Sequence, residues 1–297
     1  MKDNLKAHLA VLGTNIFFSI NFSAVKYLFS QNHVQPFGLN YIRIVVATFL
    51  LWVLYFFSKQ KIKIDRKDYF RLLFCSITGI VLNQLLFIKG LSYTSPIHGA
   101  LLMLTTPILI TFFASIFLKE RLNFNKIIGL ALGIGGASVL ILSRSNNVQA
   151  SNTMLGDLLI LINAVSYMIY FIIVKPLMFK YSPLTVIRMS FTIGLFVALP
   201  FCWTEFSNTS WDLFSTNEIW SLAIITIGGT FLAYTFNIYA INKLGASITG
   251  NYIYTQPVFA GLIAIAMQQD VLAYYKIAAA VLIFTGLYVA NKKNQHV

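Results

Sequence analysis

Charge is what this chain of 297 residues has least of: Asp, Glu, Lys and Arg together make up 10% of it. A soluble domain carries about 25% charged residues. A 33.4 kDa globule could not cover its surface with so few. An ordinary soluble enzyme and a disordered chain are both excluded. Acids are scarcest, with nine Asp and Glu against 22 Lys and Arg. There are two cysteines, Cys75 and Cys202, and four histidines. That excludes a small disulfide-built scaffold. Neither cysteine has metal-ligand company in the sequence, so no metal site and no cofactor is expected.

Apolar residues fill the space, at 58%. A helix that spans a bilayer needs about 20 of them in a row. Ten such stretches can be read, at about 9–29, 37–57, 71–90, 98–118, 126–143, 154–174, 184–203, 218–240, 247–267 and 277–291. They use roughly 200 residues and leave connections of under about ten residues each. No soluble catalytic domain fits between them. The sequence predicts an all-α integral membrane protein of ten transmembrane helices, with the lipid bilayer as its surroundings.

The formal charge of +13 would suggest nucleic acid in a soluble protein. Here the basic residues cluster where spans end. Lys59, Lys61, Lys63, Arg66, Lys67 and Arg71 share one loop, Lys2 and Lys6 precede the first span, and Lys292 and Lys293 follow the last. The basic loop has no folded platform behind it, so nucleic acid is not an expected partner. With the N-terminus inside and sides alternating, sixteen of the 22 Lys and Arg fall inside and four outside. That is the positive-inside bias of a plasma or inner membrane protein with both termini cytoplasmic. In this topology the two cysteines lie near opposite faces and do not pair. The first apolar stretch is too long for a signal-peptide core and is read as the first span.

The halves repeat. A shift of 150 brings Pro107 onto Pro257, Gly79 onto Gly229, Thr105 onto Thr255 and Gly136 onto Gly286. Near the start of each half a shift of 149 brings Phe22 onto Phe171 and Lys26 onto Lys175. Residues 1–145 and 154–293 are therefore read as two five-helix repeats. Five is odd, so the second repeat must lie upside down. Its loop 269–276 has one basic residue where the equivalent 119–126 has three. Inverted repeats place a site at the midplane between halves that rock against each other.

The first half has the text Ser19-Ile20-Asn21-Phe22-Ser23-Ala24-Val25-Lys26, Ile42-Arg43, Gly90-Leu91-Ser92-Tyr93-Thr94-Ser95 through Pro107, Lys119-Glu120-Arg121-Leu122 and Gly129. The second half has Gly156-Asp157, Gly229-Thr230 through Leu244-Gly245-Ala246, Pro257 and Gly286. In this order the text resembles the drug/metabolite transporter superfamily, specifically the EamA-type ten-helix transporters. The resemblance implies a ten-helix bundle with a central cavity that moves small metabolites, often outward, with amino acids and related metabolites as the default substrates. The chain departs from the pattern at Asp270, where Glu is usual, at Ser19, where Gly is common, and at Ala279, which stands where the first half has Gly129.

Polar side chains inside spans are expensive and mark candidate sites. They are Asn83 and Gln84 in the third span, His98, Thr105 and Thr106 in the fourth, and Asn163 and Tyr167 in the sixth. The eighth adds Tyr234 and Asn237, and the ninth Asn251, Tyr252, Thr255 and Gln256. The ninth-span set falls on one helical face. Each residue has two readings, cavity lining or hydrogen-bonded glue between helices. Pro107 and Pro257 are hinges or plain bends. Lys26 and Arg43, near the outer ends of the first two spans, either snorkel to headgroups or draw a substrate carboxylate to the mouth. Arg188 is expected to snorkel at the inner end of the seventh.

A small-molecule transporter, as monomer or homodimer, is the leading reading. An intramembrane enzyme would need an acid/base constellation, and no His–Asp or His–Glu cluster is legible within a span. A lipid flippase or receptor-like protein is the alternative. An enclosed polar cavity would favour transport, and a long uncharged groove would favour lipid. No acid falls at mid-span, so facilitated diffusion or exchange is expected. His98 and Asp157 are the candidates for a proton relay.

Overall fold

A computed structural model describes residues 2–58, 64–106, 108–109, 113, 124–142, 152–244, 249 and 252–291. Ten helical segments run through them, with no strand among the described residues. In chain order they are α1 (Lys2–Ser30), α2 (Pro36–Phe57), α3 (Arg66–Tyr93), α4 (Pro96–Met103) and α5 (Phe124–Leu142). Then follow α6 (Thr153–Lys180), α7 (Pro183–Ser207), α8 (Thr216–Leu244), α9 (Tyr252–Ala266) and α10 (Tyr274–Asn291). Six of these, α1 to α3 and α6 to α8, are long and apolar enough to cross a bilayer on length and composition alone. Side chains such as Phe49, Phe196 and Leu262 are 64–69% exposed, which suits contact with acyl chains. The chain is an all-α, multi-pass membrane protein.

Short polar signals start the helices. Proline occupies the first turn of α2, α4 and α7, where its missing N–H costs nothing. Ser95 and Ser182 cap the last two through the backbone N–H groups of His98 and Thr185. Ser215 and Glu218 close a capping box at the start of α8.

The most extensive packing pairs α1 with α8, α3 with α6, α2 with α7 and α5 with α10. Exchanging the two halves turns the first pair into the second and leaves the other two unchanged. This is the pattern that a two-fold relation between halves produces. The same correspondence appears in the backbone. α3 widens into a π-helical stretch at Ile77–Val81, and α8 does so at Ile224–Leu232. Each stretch presents a glycine to the partner helix. A Cβ on Gly79 would lie 2.3 Å from the Tyr170 ring, and one on Gly229 would lie 2.7 Å from Asn21 Oδ1. Asn21 and Tyr170 are themselves related by the 149-residue shift.

Helices in lipid gain little from burying apolar surface against each other, so close backbone approach matters more. The α3–α6 crossing is such an approach. A Cβ on Gly156 would sit 2.7 Å from the Gly90 carbonyl oxygen, and one on Gly90 would sit 2.8 Å from that of Gly156. Gly156→Ala is therefore expected to cost about 1–3 kcal/mol, as an overpacked contact does. Gly135→Ala, whose new methyl would meet nothing within 4 Å, should be neutral or gain up to about 1 kcal/mol. Melting of the two purified variants checks this, and equal responses would refute the tight crossing.

Candidate functional site

A cavity of about 60 Å³ lies at the centre of the bundle. Its walls come from α1 (Thr14, Asn15, Phe18, Asn21, Phe22), α3 (Asn83, Gln84, Phe87), α6 (Asn163, Tyr167, Phe171) and α8 (Tyr234, Asn237). Arg43 of α2, Met103 of α4, Thr249, and Ile253 and Gln256 of α9 complete it. Two-thirds of this lining falls into pairs related by the repeat: Thr14 with Asn163, Phe18 with Tyr167, Phe22 with Phe171, Gln84 with Tyr234, Phe87 with Asn237, and Met103 with Ile253. Both halves thus contribute the same positions to one space.

Most polar groups here are answered across helices. Tyr234 Oη donates to Asn83 Oδ1 at 3.0 Å, and Asn237 Nδ2 donates to Tyr167 Oη at 2.7 Å. Gln256 Nε2 donates to Asn15 Oδ1 at 2.7 Å, and Ser19 Oγ lies 3.2 Å from the Gln256 carbonyl. Asn163 Nδ2 donates to the Asn83 carbonyl. Five atoms of lining residues are buried without a partner: Arg43 Nη1, Asn21 Oδ1, Asn163 Oδ1, and Nε2 and Oε1 of Gln84. A void this size holds a few waters, so a metabolite enters only if the walls move apart.

The structure redistributes the sequence candidates. Asn83, Gln84, Asn163, Tyr167, Tyr234, Asn237 and Gln256 line the cavity. Tyr252 does not, because its hydroxyl meets His8 Nδ1 at 2.8 Å. Thr255 and Thr105 turn back onto the carbonyls of Tyr252 and Leu102 in their own helices, and Thr106 is buried away from the space. From α4 only Met103 reaches the cavity among the described residues, so α1 and α6 supply the walls expected of the fourth helix. Pro257 stands in the first α-helical turn after a 3-10 segment, Tyr252–Thr255, rather than within a continuous helix. Asn251 and Pro107 lie outside the described residues.

The cations also move. Arg43 is not at a mouth. It is 3% exposed in the cavity wall, with Nε donating to Thr230 Oγ1 at 2.9 Å. Lys26 is taken up by backbone, with Nζ 2.9 Å from the Thr94 carbonyl and 3.4 Å from that of Ser92, at the end of α3 where carbonyls lack partners. Arg188 does not snorkel. Its guanidinium lies 3.6 Å from the centre of the Tyr55 ring and 4.3 Å from that of Trp52.

Sequence reasoning missed Thr14, Asn15, Phe18 and Asn21. The signal was available, since moving Asn163 and Tyr167 back by 149 residues lands on Thr14 and Phe18. It also missed a His–Asp pair, because 59 residues separate its members. His98 Nδ1 lies 3.3 Å from Asp157 Oδ2, and Thr94 Oγ1 donates to Asp157 Oδ1 at 2.7 Å. This pair stands at the end of the bundle where α3 finishes and α4 and α6 begin.

Further polar contacts join the two halves at that end. Glu205 accepts from the Phe37 and Gly38 amides at the start of α2, and Glu218 lies 2.7 Å from His33 Nδ1. Asp270 accepts from the Ile97 amide at 3.2 Å and pairs with buried Lys276. At the opposite end Asp68 accepts from Lys180 at 3.0 Å and Tyr181 at 2.7 Å.

A second cleft, of about 430 Å³, runs between α4, α9 and α10. Its lining is Ile97, Leu101, Pro257, Val258, Gly261, Leu272, Ile277, Ala280, Val281 and Phe284, with Lys276 and Thr285 as the polar members. None of these side chains leaves a buried polar atom unpartnered.

The profile of the EamA-like transporter family matches the chain twice, at residues 5–142 and 154–292. The chain belongs to the EamA-like transporter family. An uncharacterized transporter of Archaeoglobus fulgidus is 21% identical over 99% of both chains. The uncharacterized transporter YyaM of Bacillus subtilis is 25% identical, over 97% of this chain and 94% of that one. Protein WALLS ARE THIN 1 of Arabidopsis thaliana is 23% identical over 84% of this chain and 72% of its own. A crystal structure at 18% identity shares the fold, with a TM-score of 0.68 over 96% of each chain. The EamA-like protein is a membrane transporter.

The Asn15–Gln256 bond is where α1 and α9 of this transporter meet beside the cavity. Gln256→Leu and Asn15→Leu should each cost about 1–3 kcal/mol, by leaving the other amide buried and unanswered. The double variant should cost less than the two together, with a coupling of about 1 kcal/mol. Strict additivity in a melting cycle would show that the bond does not hold the helices.

Proposed function

We propose that the protein carries small metabolites, amino acids or related compounds, out of the cell by alternating access, in the plasma or inner membrane with both termini cytoplasmic. The observation that carries this reading is the central cavity built from equivalent positions of both halves, with polar residues in its lining and unpartnered polar atoms on some of them. Residues 1–145 and 154–293 act as the two repeats that rock about it. The lipid-handling alternative would use the apolar cleft beside α9, where Lys276, already paired with Asp270, and Thr285 are the polar members of the lining. Bilayer chains suit that cleft better than a headgroup does.

On this reading the polar contacts at the two ends are gates, and the end carrying Glu205, Glu218 and Asp270 faces outward. A cysteine pair replacing His33 and Glu218, in a background lacking Cys75 and Cys202, should form a disulfide that stops flux of an amino-acid mixture from reconstituted vesicles. A membrane-impermeant reductant should restore flux when applied to the outer face of intact cells and leave it blocked when confined to the inner face. Undiminished flux in the oxidised protein would sink the gate, and rescue from the inner face alone would invert the orientation.

Energy coupling is proposed to be facilitated diffusion or exchange. Among the described residues the cavity lining has neither carboxylate nor histidine, whereas proton-driven carriers commonly place such a group on the path. The measurement is flux in vesicles under an imposed pH gradient with the voltage clamped. No uphill accumulation is expected. Accumulation that disappears in His98→Ala would instead make the His98–Asp157 pair the relay.

A further inference from the structure

The buried and half-buried cations outside the cavity are each occupied. Lys26 meets two carbonyls, Lys89 lies over the Phe37 and Tyr93 rings, Arg188 stacks on two rings although its Nε is buried without a hydrogen bond, and Lys276 pairs with Asp270. Arg43 differs. It lines the cavity, makes one bond through Nε to a neutral hydroxyl, and leaves Nη1 buried with no partner. Among the described residues it forms no ion pair. A guanidinium held this way in low-dielectric surroundings is costly unless an anion arrives to balance it. Its counterpart under the repeat is Thr192, so the charge belongs to one half only.

We infer that Arg43 is the anchor for a single carboxylate on the transported solute. The inference rests on the reading of the cavity as a solute site and names its ligand class. One positive charge among the described lining balances one negative charge, and the guanidinium fork matches a carboxylate's two oxygens. A doubly charged phosphate would leave excess negative charge, because no second cation lines the space among the described residues. Asn21 Oδ1, Asn163 Oδ1 and Gln84 Oε1 are acceptors without donors, and Gln84 Nε2 is a further donor without a partner. The acceptors suit an N–H or O–H group on the same solute. Asn163 has its orientation set by the bond from its Nδ2 to the Asn83 carbonyl, so its oxygen is the free end. Phe18, Phe22, Phe171 and Met103 provide an apolar wall for the remainder of the molecule. The solute is thus a small monocarboxylic acid bearing a hydrogen-bond donor, either an amino acid or a hydroxy or acylamino acid.

The test uses purified full-length protein in detergent, melted with L-leucine, N-acetyl-leucine, 2-hydroxyisocaproate, leucinamide and N-acetyl-leucinamide. At least one of the acids should raise the melting temperature, and neither amide should. The comparison of L-leucine with the other two acids tells an amino acid from a monoanion. Arg43→Gln should weaken acid binding at least roughly tenfold, the loss expected for a charged hydrogen bond. Should Arg43→Gln fail to melt cooperatively, Arg43→Lys is read instead. It keeps the charge, loses the fork, and should bind acids several-fold more weakly. Stabilisation by amides equal to that by acids, no stabilisation by any acid, or unaltered acid binding in the Arg43 variant read would each overturn the inference. Acid-specific stabilisation without vesicle flux would keep the anchor and take down the transport reading. Flux of uncharged solutes without acid-specific stabilisation would do the reverse.

Discussion

Hydrocarbon offers no hydrogen bonds, so any polar group carried into the bilayer must find its partner in the protein. In this chain that requirement sorts the side chains by depth and direction. Phe49, Phe196 and Leu262 face outward, where they cost nothing. Asn15, Asn83, Asn163, Asn237 and Gln256 turn inward and answer one another, a tyrosine hydroxyl or a backbone carbonyl. Once those groups meet at the centre, helices that contribute none can pack by close backbone approach, as α5 and α10 do. There a Cβ on Gly286 would lie 2.7 Å from the Gly129 carbonyl oxygen. The cavity is what remains where inward polar groups outnumber their partners.

The two-fold correspondence is strong in shape and weak in charge. Phe22 and Phe171, or Met103 and Ile253, are the same wall seen from two halves. Arg43 has no such twin, since Thr192 at the matching position receives the Trp52 indole N–H. A symmetric scaffold gives two states of similar energy, and a ligand shifts their balance only through differential contacts. On the proposed alternating-access reading, an unpaired cation on one side of the cavity is a source of such contacts, because its distance from the other half would change as the halves rock.

The bundle and its duplication were legible because they rest on long-range averages of hydropathy, charge and repeated text. Seven of the polar cavity residues were legible too, since a polar side chain in an apolar run is conspicuous. What failed was direction. Thr105, Thr255 and Tyr252 look equally polar in the text, yet two spend their hydroxyls on their own helix and the third meets His8. A helical wheel shows which residues share a face but not which neighbour that face meets. Arg43 was misplaced for a related reason. Its position near one end of a span suits snorkelling, and only the packing of α2 against α7 and α8 turns it inward to Thr230. The His98–Asp157 pair was hidden by sequence separation alone. Thr14 and Phe18 were within reach, because the repeat that identified the halves also maps α6 onto α1.

The division between bundle ends and bundle centre has an energetic basis. The ion pairs and carboxylate–amide bonds that join the halves lie near helix termini: Glu205 at α2, Glu218 at α8, Asp157 at α6, and Asp68 at the other end. In the proposed alternating-access cycle, water follows when one end opens, and a separated pair there is rehydrated. The cost then falls toward that of a surface ion pair, about 0–1 kcal/mol. The same pair broken at mid-membrane would keep most of its desolvation penalty. Contacts that must break in each cycle are therefore cheap only at the ends. Contacts at the centre, such as Tyr234 to Asn83, must survive the cycle or exchange directly for bonds to the solute. Arg43 Nη1, Asn21 Oδ1 and Asn163 Oδ1 have no such contact to give up. A solute that meets them replaces an uncompensated cost with a bond and breaks nothing in return.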